Sequence, residues 1–338
     1  MPCALLRRVA LGAALCVVAP TLWALPKQYR LLDLGAGSLA VHLNDRGVVA
    51  GTDTSLGHHA PARWVGSQLQ WLDNPYPEGD ALWINASGVI VGADSAGYGS
   101  AAYWTSYGVF EDIGETLDLI GSAITSINDH GDCVIWGGVD ADSWVLYLVP
   151  KCNISKRIQV GWDMVGAAIN AYDQVALTQG ASYDGSQHAY LYSDGVLTDP
   201  GLLQGYTQTV AADLNSHAHV VGTAADAAYD QRQAFFWNGK KLRPVGTLGG
   251  ERSEAKAVDH ADVVVGSAQS PNGTWRAFIR DMHATGSQPR DLTKMLDASG
   301  AGWSLQSAFS INKAGQIVVQ GTAPGDTSLR SAVLTPIN

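Results

Sequence analysis

The chain has 338 residues, 46% of them hydrophobic and only 15% charged, with 38 glycines and a formal net charge of −10. That acidity argues against nucleic acid or an anionic membrane surface as a general partner, because both are held by basic patches. The length exceeds the usual ~100–200 residues of one domain, so it requires either several domains or one repetitive fold.

Residues 1–24 have the layout of a secretory signal peptide. Arg7 and Arg8 precede an apolar run over 9–19, and the small residue Ala24 closes the segment. The run is too short for a membrane span. Cys16 follows Ala-Ala-Leu, which lacks the small residue expected before a lipidated cysteine. Export with cleavage near Ala24–Leu25 is therefore expected, leaving a single domain over 25–338. Removal takes away two arginines and no acids, so the charge becomes 19 − 31 = −12.

From residue 29 onward the chain repeats. A turn-initiating residue recurs as Asn44, Asn85, Asn128, Asn170, Asn215, Asp259 and Asn312, at steps of 41, 43, 42, 45, 44 and 53 residues. A second anchor follows 19–23 residues later, as Trp64, Trp104, Tyr147, Tyr192, Trp237, Arg280 and Thr335. Each copy reads as four short strands. In the fifth, an alternating strand over 206–215 leads through the Asn turn into Val-Val-Gly, then Ala-Phe-Phe-Trp over 234–237. A turn at Asn238-Gly239 precedes a last strand near Pro244. Asn opens such turns because its side chain accepts from backbone N–H groups downstream, and Gly closes them at positive φ.

Four antiparallel strands in ~40–45 residues is the period of a propeller blade, and seven copies predict an all-β, seven-bladed β-propeller. The seventh copy ends after its third strand. Residues 29–35, Tyr-Arg-Leu-Leu-Asp-Leu-Gly, match the fourth strand Gly-Val-Phe-Glu-Asp-Ile-Gly of 108–114. The N-terminal strand is thus expected to pair into the last blade, removing two sheet edges. An open array of hairpins, or a solenoid, is the alternative for the same period. Four residues before each anchor stand Ala40, Ala81, Ile124, Gly166, Ala211, Ala255 and Ala308, mostly small, as crowding near an axis would require.

Cys133 and Cys152 are the cysteines left after cleavage. They fall at the start of the second strand and just past the third strand of blade three, so a bridge across one blade is feasible in an oxidising compartment. Two unpaired thiols are the alternative. Residues 281–304 break the rhythm, and 291–296 suggest a turn or two of helix that caps one mouth of the ring, or a long loop.

Strand order places the loops between second and third strands on one face, with the loops between blades. That rim gathers His58, His59, Tyr98, Tyr183, His188, Tyr229 and Arg232, together with Asp53, Asp94, Asp140, Asp142 and Asp184. Such side chains suit an unknown protein or glycan ligand, although exposed loops are polar in any case. His58 and His59 are adjacent, so their rings diverge on an extended chain, and His188 lies across the ring; a shared zinc is not expected. His130, His217 and His260 fall in turns of the opposite face and read as turn residues. His42, Asp80, Asp163, Asp213, Glu254 and Lys256 are candidates for a polar channel lining. Asp140-Ala-Asp-Ser lacks the later ligands of a calcium loop. Gly246-Thr-Leu-Gly-Gly lacks the lysine and helix of a phosphate loop. No nucleophile elbow is present. No cofactor is implied.

The stretches Ala234-Phe-Phe-Trp237, Gly246-Thr-Leu-Gly-Gly250, Ser253-Glu-Ala-Lys-Ala-Val-Asp259 and Val264-Val-Gly266 resemble the bacterial extracellular repeat family named for its His-Ala-Phe (HAF) tripeptide; His188-Ala-Tyr190 is the nearest copy of the tripeptide. The resemblance implies export and a propeller, and carries no general activity or catalytic residues. Blade six departs from it at Asp259-His-Ala-Asp262, where the turn glycine is missing. The residues as a whole point to a secreted or periplasmic, non-catalytic binding module. A glycan-active hydrolase or lyase at one mouth, and a lectin-like surface protein, are the alternatives.

Overall fold

Short apolar strands separated by turns that need positive φ build small sheets whose two faces both need cover; Val220–Ala225 is buried throughout, so each sheet packs between two neighbours around a common axis. In the computed structural model, which describes residues 25–94, 99–114, 119–140, 143–180 and 186–337, they form seven four-stranded antiparallel sheets. The fold is a seven-bladed β-propeller. In blades one to six the strands follow in chain order from inside to outside. Blade five, for example, runs Gln208–Leu214, Val220–Ala225, Arg232–Trp237 and Leu242–Pro244.

Blade seven is closed by the chain's other end. Its inner three strands are Ser304–Ile311, Ile317–Thr322 and Leu329–Ile337, and its outer strand is Gln28–Asp33. The pairing runs without a break from Gln28↔Ile337 to Asp33↔Ala332. Side chains then stitch blade one to blade seven. Ser331 N donates to Ser38 Oγ at 3.0 Å, and Ala40 N donates to Ser331 Oγ at 2.8 Å.

Every inner strand carries a register shift at the same level. It leaves unpaired Val41, Leu82, Thr125, Ala167, Ala212 and Lys256 in blades one to six, and Gln306 and Phe309 in blade seven. The bulge explains the glycine of the Val-Val-Gly strands. A Cβ on Gly222 would lie 2.0 Å from the carbonyl oxygen of Val210, and one on Gly266 2.0 Å from that of Glu254. Blades three, four and seven lack a glycine at that register, where blade seven has Val319 opposite Ala308. Ile135 faces Ile124, and in blade four the small residue moves to the inner strand, where Gly166 faces Leu177.

The anchor asparagines do more than turn the chain. Each Oδ1 accepts backbone N–H groups two and four residues on, as Asn128 does from His130 (3.0 Å) and Asp132 (2.9 Å). Each Nδ2 reaches the backbone carbonyl of the next blade's anchor. Asn44 donates to Asn85 (3.0 Å), Asn85 to Asn128 (3.2 Å), Asn128 to Asn170 (3.1 Å), Asn170 to Asn215 (3.1 Å) and Asn215 to Asp259 (2.9 Å). Asn312 closes the circle onto Asn44 at 3.0 Å. Asp259 has no amide to donate, so this link is missing between blades six and seven. That junction instead holds the largest apolar cluster, with Tyr29, Leu292, Met295, Trp303 and Leu305 at its centre.

Near the opposite face a second set of links appears. Hydroxyls six residues before the anchor accept from the preceding blade's third strand: Ala101 N to Ser122 Oγ, Ala189 N to Thr209 Oγ1 and Ala234 N to Ser253 Oγ, all at 3.0 Å. Third-strand aromatics fill the wider wedges between blades; Trp64, Trp104, Phe235 and Phe236 are fully buried.

The helical turn anticipated near 291 is a 3-10 turn, Leu292–Met295, with Asp291 accepting from Thr293 N at 2.9 Å as its cap. It does not cap a mouth. Leu292 and Met295 are buried in the cluster between blades six and seven, because two apolar side chains on one short turn need a core more than they need the channel. Cys133 and Cys152 are bonded, with Cα atoms 5.3 Å apart, joining the second strand of blade three to the turn after its third. Among the described residues no helix is long and apolar enough to cross a membrane. The candidate signal segment, 1–24, lies outside the described residues.

Candidate binding rim

The strand-two to strand-three loops share one face, as the repeat requires, but their side chains do not act as one group. His58 is exposed. His59 Nδ1 lies 3.2 Å from Asp80 Oδ1, which also accepts the Thr52 hydroxyl at 2.7 Å. His188 lines a separate cleft of about 250 Å³ with Asp163, Gln179 and Tyr190. Tyr98, Tyr183, Asp142 and Asp184 lie outside the described residues. Asp53 is buried, accepting from the Trp71 indole (2.9 Å) and the Ser55 hydroxyl (2.7 Å), so it braces its loop. No trio of metal-capable side chains among the described residues includes His58, His59 or His188.

Tyr229 and Arg232 are brought together, with partners from the next blade. Tyr229 takes a left-handed backbone (φ 62°), which lets the loop double back toward Arg232 at the start of the third strand. The guanidinium Cζ lies 5.8 Å from the Tyr229 ring centroid and 5.4 Å from that of Trp275 in blade six. Such stacking is worth about 0.5–1 kcal/mol when exposed and more when desolvated. Arg232 Nη1 also meets Glu254 Oε1 at 2.7 Å, and Lys256 Nζ meets Glu254 Oε2 at 3.1 Å. Burial pushes the Tyr229 hydroxyl above its ordinary range. Trp275 and Glu254 complete a group that the loop inventory alone does not reveal. Trp275 is a strand residue of another blade, and the third strand of blade three opens on Trp144 at the same register, so no sequence signal singles Trp275 out.

Blades five and six also hold a cleft of about 910 Å³, within the ~300–1,000 Å³ usual for ligand pockets, which none of Tyr229, Arg232, Glu254 and Trp275 lines. Its walls are the Gly246–Glu251 loop, Ser270-Pro271 and the segment 288–291, with Gln233, Lys294 and Met295. The two glycines of the Thr-Leu-Gly-Gly loop are there for close approach. A Cβ on Gly250 would meet the Ser270 carbonyl at 2.6 Å, so the loop can lie flat against its neighbour only without one.

The channel is less suited to chemistry. Its two most perturbed groups are held by the fold. His42 stacks on Trp83 (centroids 3.8 Å), and burial pushes its imidazole down to about 3 against a hydrogen bond to the Ile84 backbone. Burial pushes Asp213 up to about 7, although its carboxylate accepts from Val258 N (2.9 Å) and Leu214 N (2.8 Å). Both border a space of about 220 Å³ inside the anchor-turn mouth and are partly exposed there. Asp80, Glu254 and Lys256 are tied up in the contacts above. Asp163 borders the His188 cleft.

No protein-family model matches the chain, and no curated protein is similar to it. Similarity appears only among solved structures. A prolyl endopeptidase aligns at 8% identity over 87% of this chain and 47% of its own, with a TM-score of 0.54. An acylaminoacyl peptidase of Pyrococcus horikoshii aligns at 8% identity over 91% and 54%, with a TM-score of 0.50. TolB from Acinetobacter baumannii aligns at 12% identity over 78% and 63%, with a TM-score of 0.44. The chain thus spans about half to two thirds of the length of these structures, and at such identities the likeness is one of fold.

Proposed function

We propose that this protein is an exported, non-catalytic propeller that binds a protein or glycan ligand on the rim of blades five and six. The observation that carries the reading is the Arg232 guanidinium lying over both the Tyr229 and the Trp275 rings, on the two blades that also hold the 910 Å³ cleft. A planar cation between two rings is a rigid, amphipathic surface, the kind that dominates binding hot spots. Export is supported by the basic-apolar-small segment at 1–24, by the Cys133–Cys152 bridge and by the resemblance to the HAF-type extracellular repeats.

The glycan-hydrolase alternative needs two carboxyl groups about 5–9.5 Å apart flanking a substrate. The carboxylates described at the channel are each committed to an amide, a hydroxyl or a cation, which favours binding over turnover. The test is a glycan and peptide array probed with the chain 25–338. Ligands found there should lose at least tenfold in affinity to Arg232→Ala and to Trp275→Ala. They should be unaffected by His58→Ala on blade one. Ligands equally sensitive to all three, or to none, would remove blades five and six as the site.

A further inference from the structure

Blade five departs from the other blades in its inner turn, which reads Asn215-Ser216-His217-Ala218-His219. Ala218 takes φ 59° where blades one, two, three and seven use Gly47, Gly88, Gly131 and Gly315. The amides of His217 and His219 both donate to Asn215 Oδ1, at 3.0 and 3.1 Å, so the turn fixes the two histidines on either side of the left-handed residue. Their ring centroids are 5.6 Å apart.

Facing them is Asp262, the left-handed residue (φ 60°) of the next blade's turn, whose side chain is only 3% exposed. Its Oδ1 accepts from Asn215 Nδ2 at 2.6 Å and lies 2.8 Å from His219 Nδ1; its Oδ2 lies 2.8 Å from His283 Nε2. Linking blades does not require the imidazoles. Asp173 makes the same bond to Asn128, at 2.9 Å, at the junction of blades three and four. The histidines are the addition at this junction. The side chains described against the buried Asp262 carboxylate are thus two imidazoles and one amide.

From this geometry we infer that His217, His219, Asp262 and His283 form a binding site for a divalent first-row transition ion, zinc above all. The candidate ligand atoms of His217, His219 and Asp262 already lie within 4.8 Å of one another. A tetrahedral zinc shell with bonds of about 2.0–2.2 Å needs them at roughly 3.3–3.6 Å, so His217 would close in while the 2.8 Å contact between His219 Nδ1 and Asp262 Oδ1 lengthens. His283 lies outside that trio, on the other carboxylate oxygen, and its exposed ring would swing in to complete a structural shell of three nitrogens and one oxygen. The ion would join the turn of blade five, the turn of blade six and the loop after the third strand of blade six. This site lies on the face opposite the proposed ligand rim and is independent of it.

The test uses the untagged chain 25–338, stripped with a chelator and then titrated with zinc against a chromophoric competitor. One zinc per chain is expected, with a higher Tm. His217→Ala and His283→Ala, both exposed, should each weaken binding at least tenfold while His58→Ala does not. Cobalt should give the intense visible bands of a tetrahedral ion, reduced in the two variants. No uptake at micromolar zinc would overturn the inference. So would uptake that His217→Ala and His283→Ala leave unchanged.

Discussion

Replacing Asn85 separates the two jobs of an anchor residue. Its Oδ1 accepts from Ser87 N (3.1 Å), Val89 N (3.0 Å) and the Ser87 hydroxyl (2.7 Å), which shapes the turn; its Nδ2 donates to Asn128 O in the next blade. The residue is only 4% exposed, so water replaces few of these bonds. Asn85→Ala loses all four, and at about 1 kcal/mol net for each the cost is about 4 kcal/mol. Asn85→Asp keeps the turn but loses the donor and sets a carboxylate against a carbonyl, at a cost of about 2 kcal/mol. For a chain of this size about 2 °C of Tm accompanies each kcal/mol, so Asp should lower Tm by about 4 °C and Ala by about 8 °C. The converse change, Asp259→Asn, supplies the missing donor toward Asn312 and should raise Tm by about 2 °C. Circular dichroism melts at pH 7 read all three. An Asn85→Asp protein as stable as the parent would refute the idea that these amides tie blade to blade.

Reducing the Cys133–Cys152 bridge, or replacing both cysteines with alanine, opens a link across a 19-residue separation and should cost about 3 kcal/mol in urea unfolding at fixed pH. Gly266→Ala drives a Cβ into the Glu254 carbonyl and should cost about 3 kcal/mol, read in the same way. Asp213, held near 7 against about 3.9 when unfolded, favours the folded state fully below pH 4 and progressively less as pH rises through 7; Asp213→Asn should therefore raise Tm at pH 8 and leave it nearly unchanged at pH 4. His42, held near 3, works in the opposite sense. Its contribution is present above about 6.5 and is lost as pH falls toward 3, so His42→Phe, which keeps a ring on Trp83, should flatten the acid limb of a Tm–pH curve.

The ring was legible because its signals are local and repeated. Asn turns, Val-Val-Gly strands and the stray fourth strand at 29–35 each fix register within one blade, and seven copies average out the exceptions. The Asn ring was half legible. The Oδ1 role follows from turn chemistry, while the Nδ2 role depends on the neighbouring blade lying one carbonyl away. The place of the 3-10 turn at Leu292–Met295 was not legible, because its two apolar residues signal burial but not where the burial occurs. The rim was least legible. Tyr229 and Arg232 are three residues apart, in the loop and at the start of the strand after it, but Trp275 and Glu254 come from strands of blade six, and only packing brings them together.

The proposed function requires that this ring bind without turning over what it holds. The direct measurement is mass spectrometry of a bound ligand, recovered after prolonged incubation with the chain 25–338 at pH 5 to 8. Unchanged ligand at every pH, together with saturable binding that Arg232→Ala weakens, is the predicted result. Cleaved ligand in amounts exceeding one equivalent of protein, and abolished by Asp213→Asn, would make it an enzyme instead.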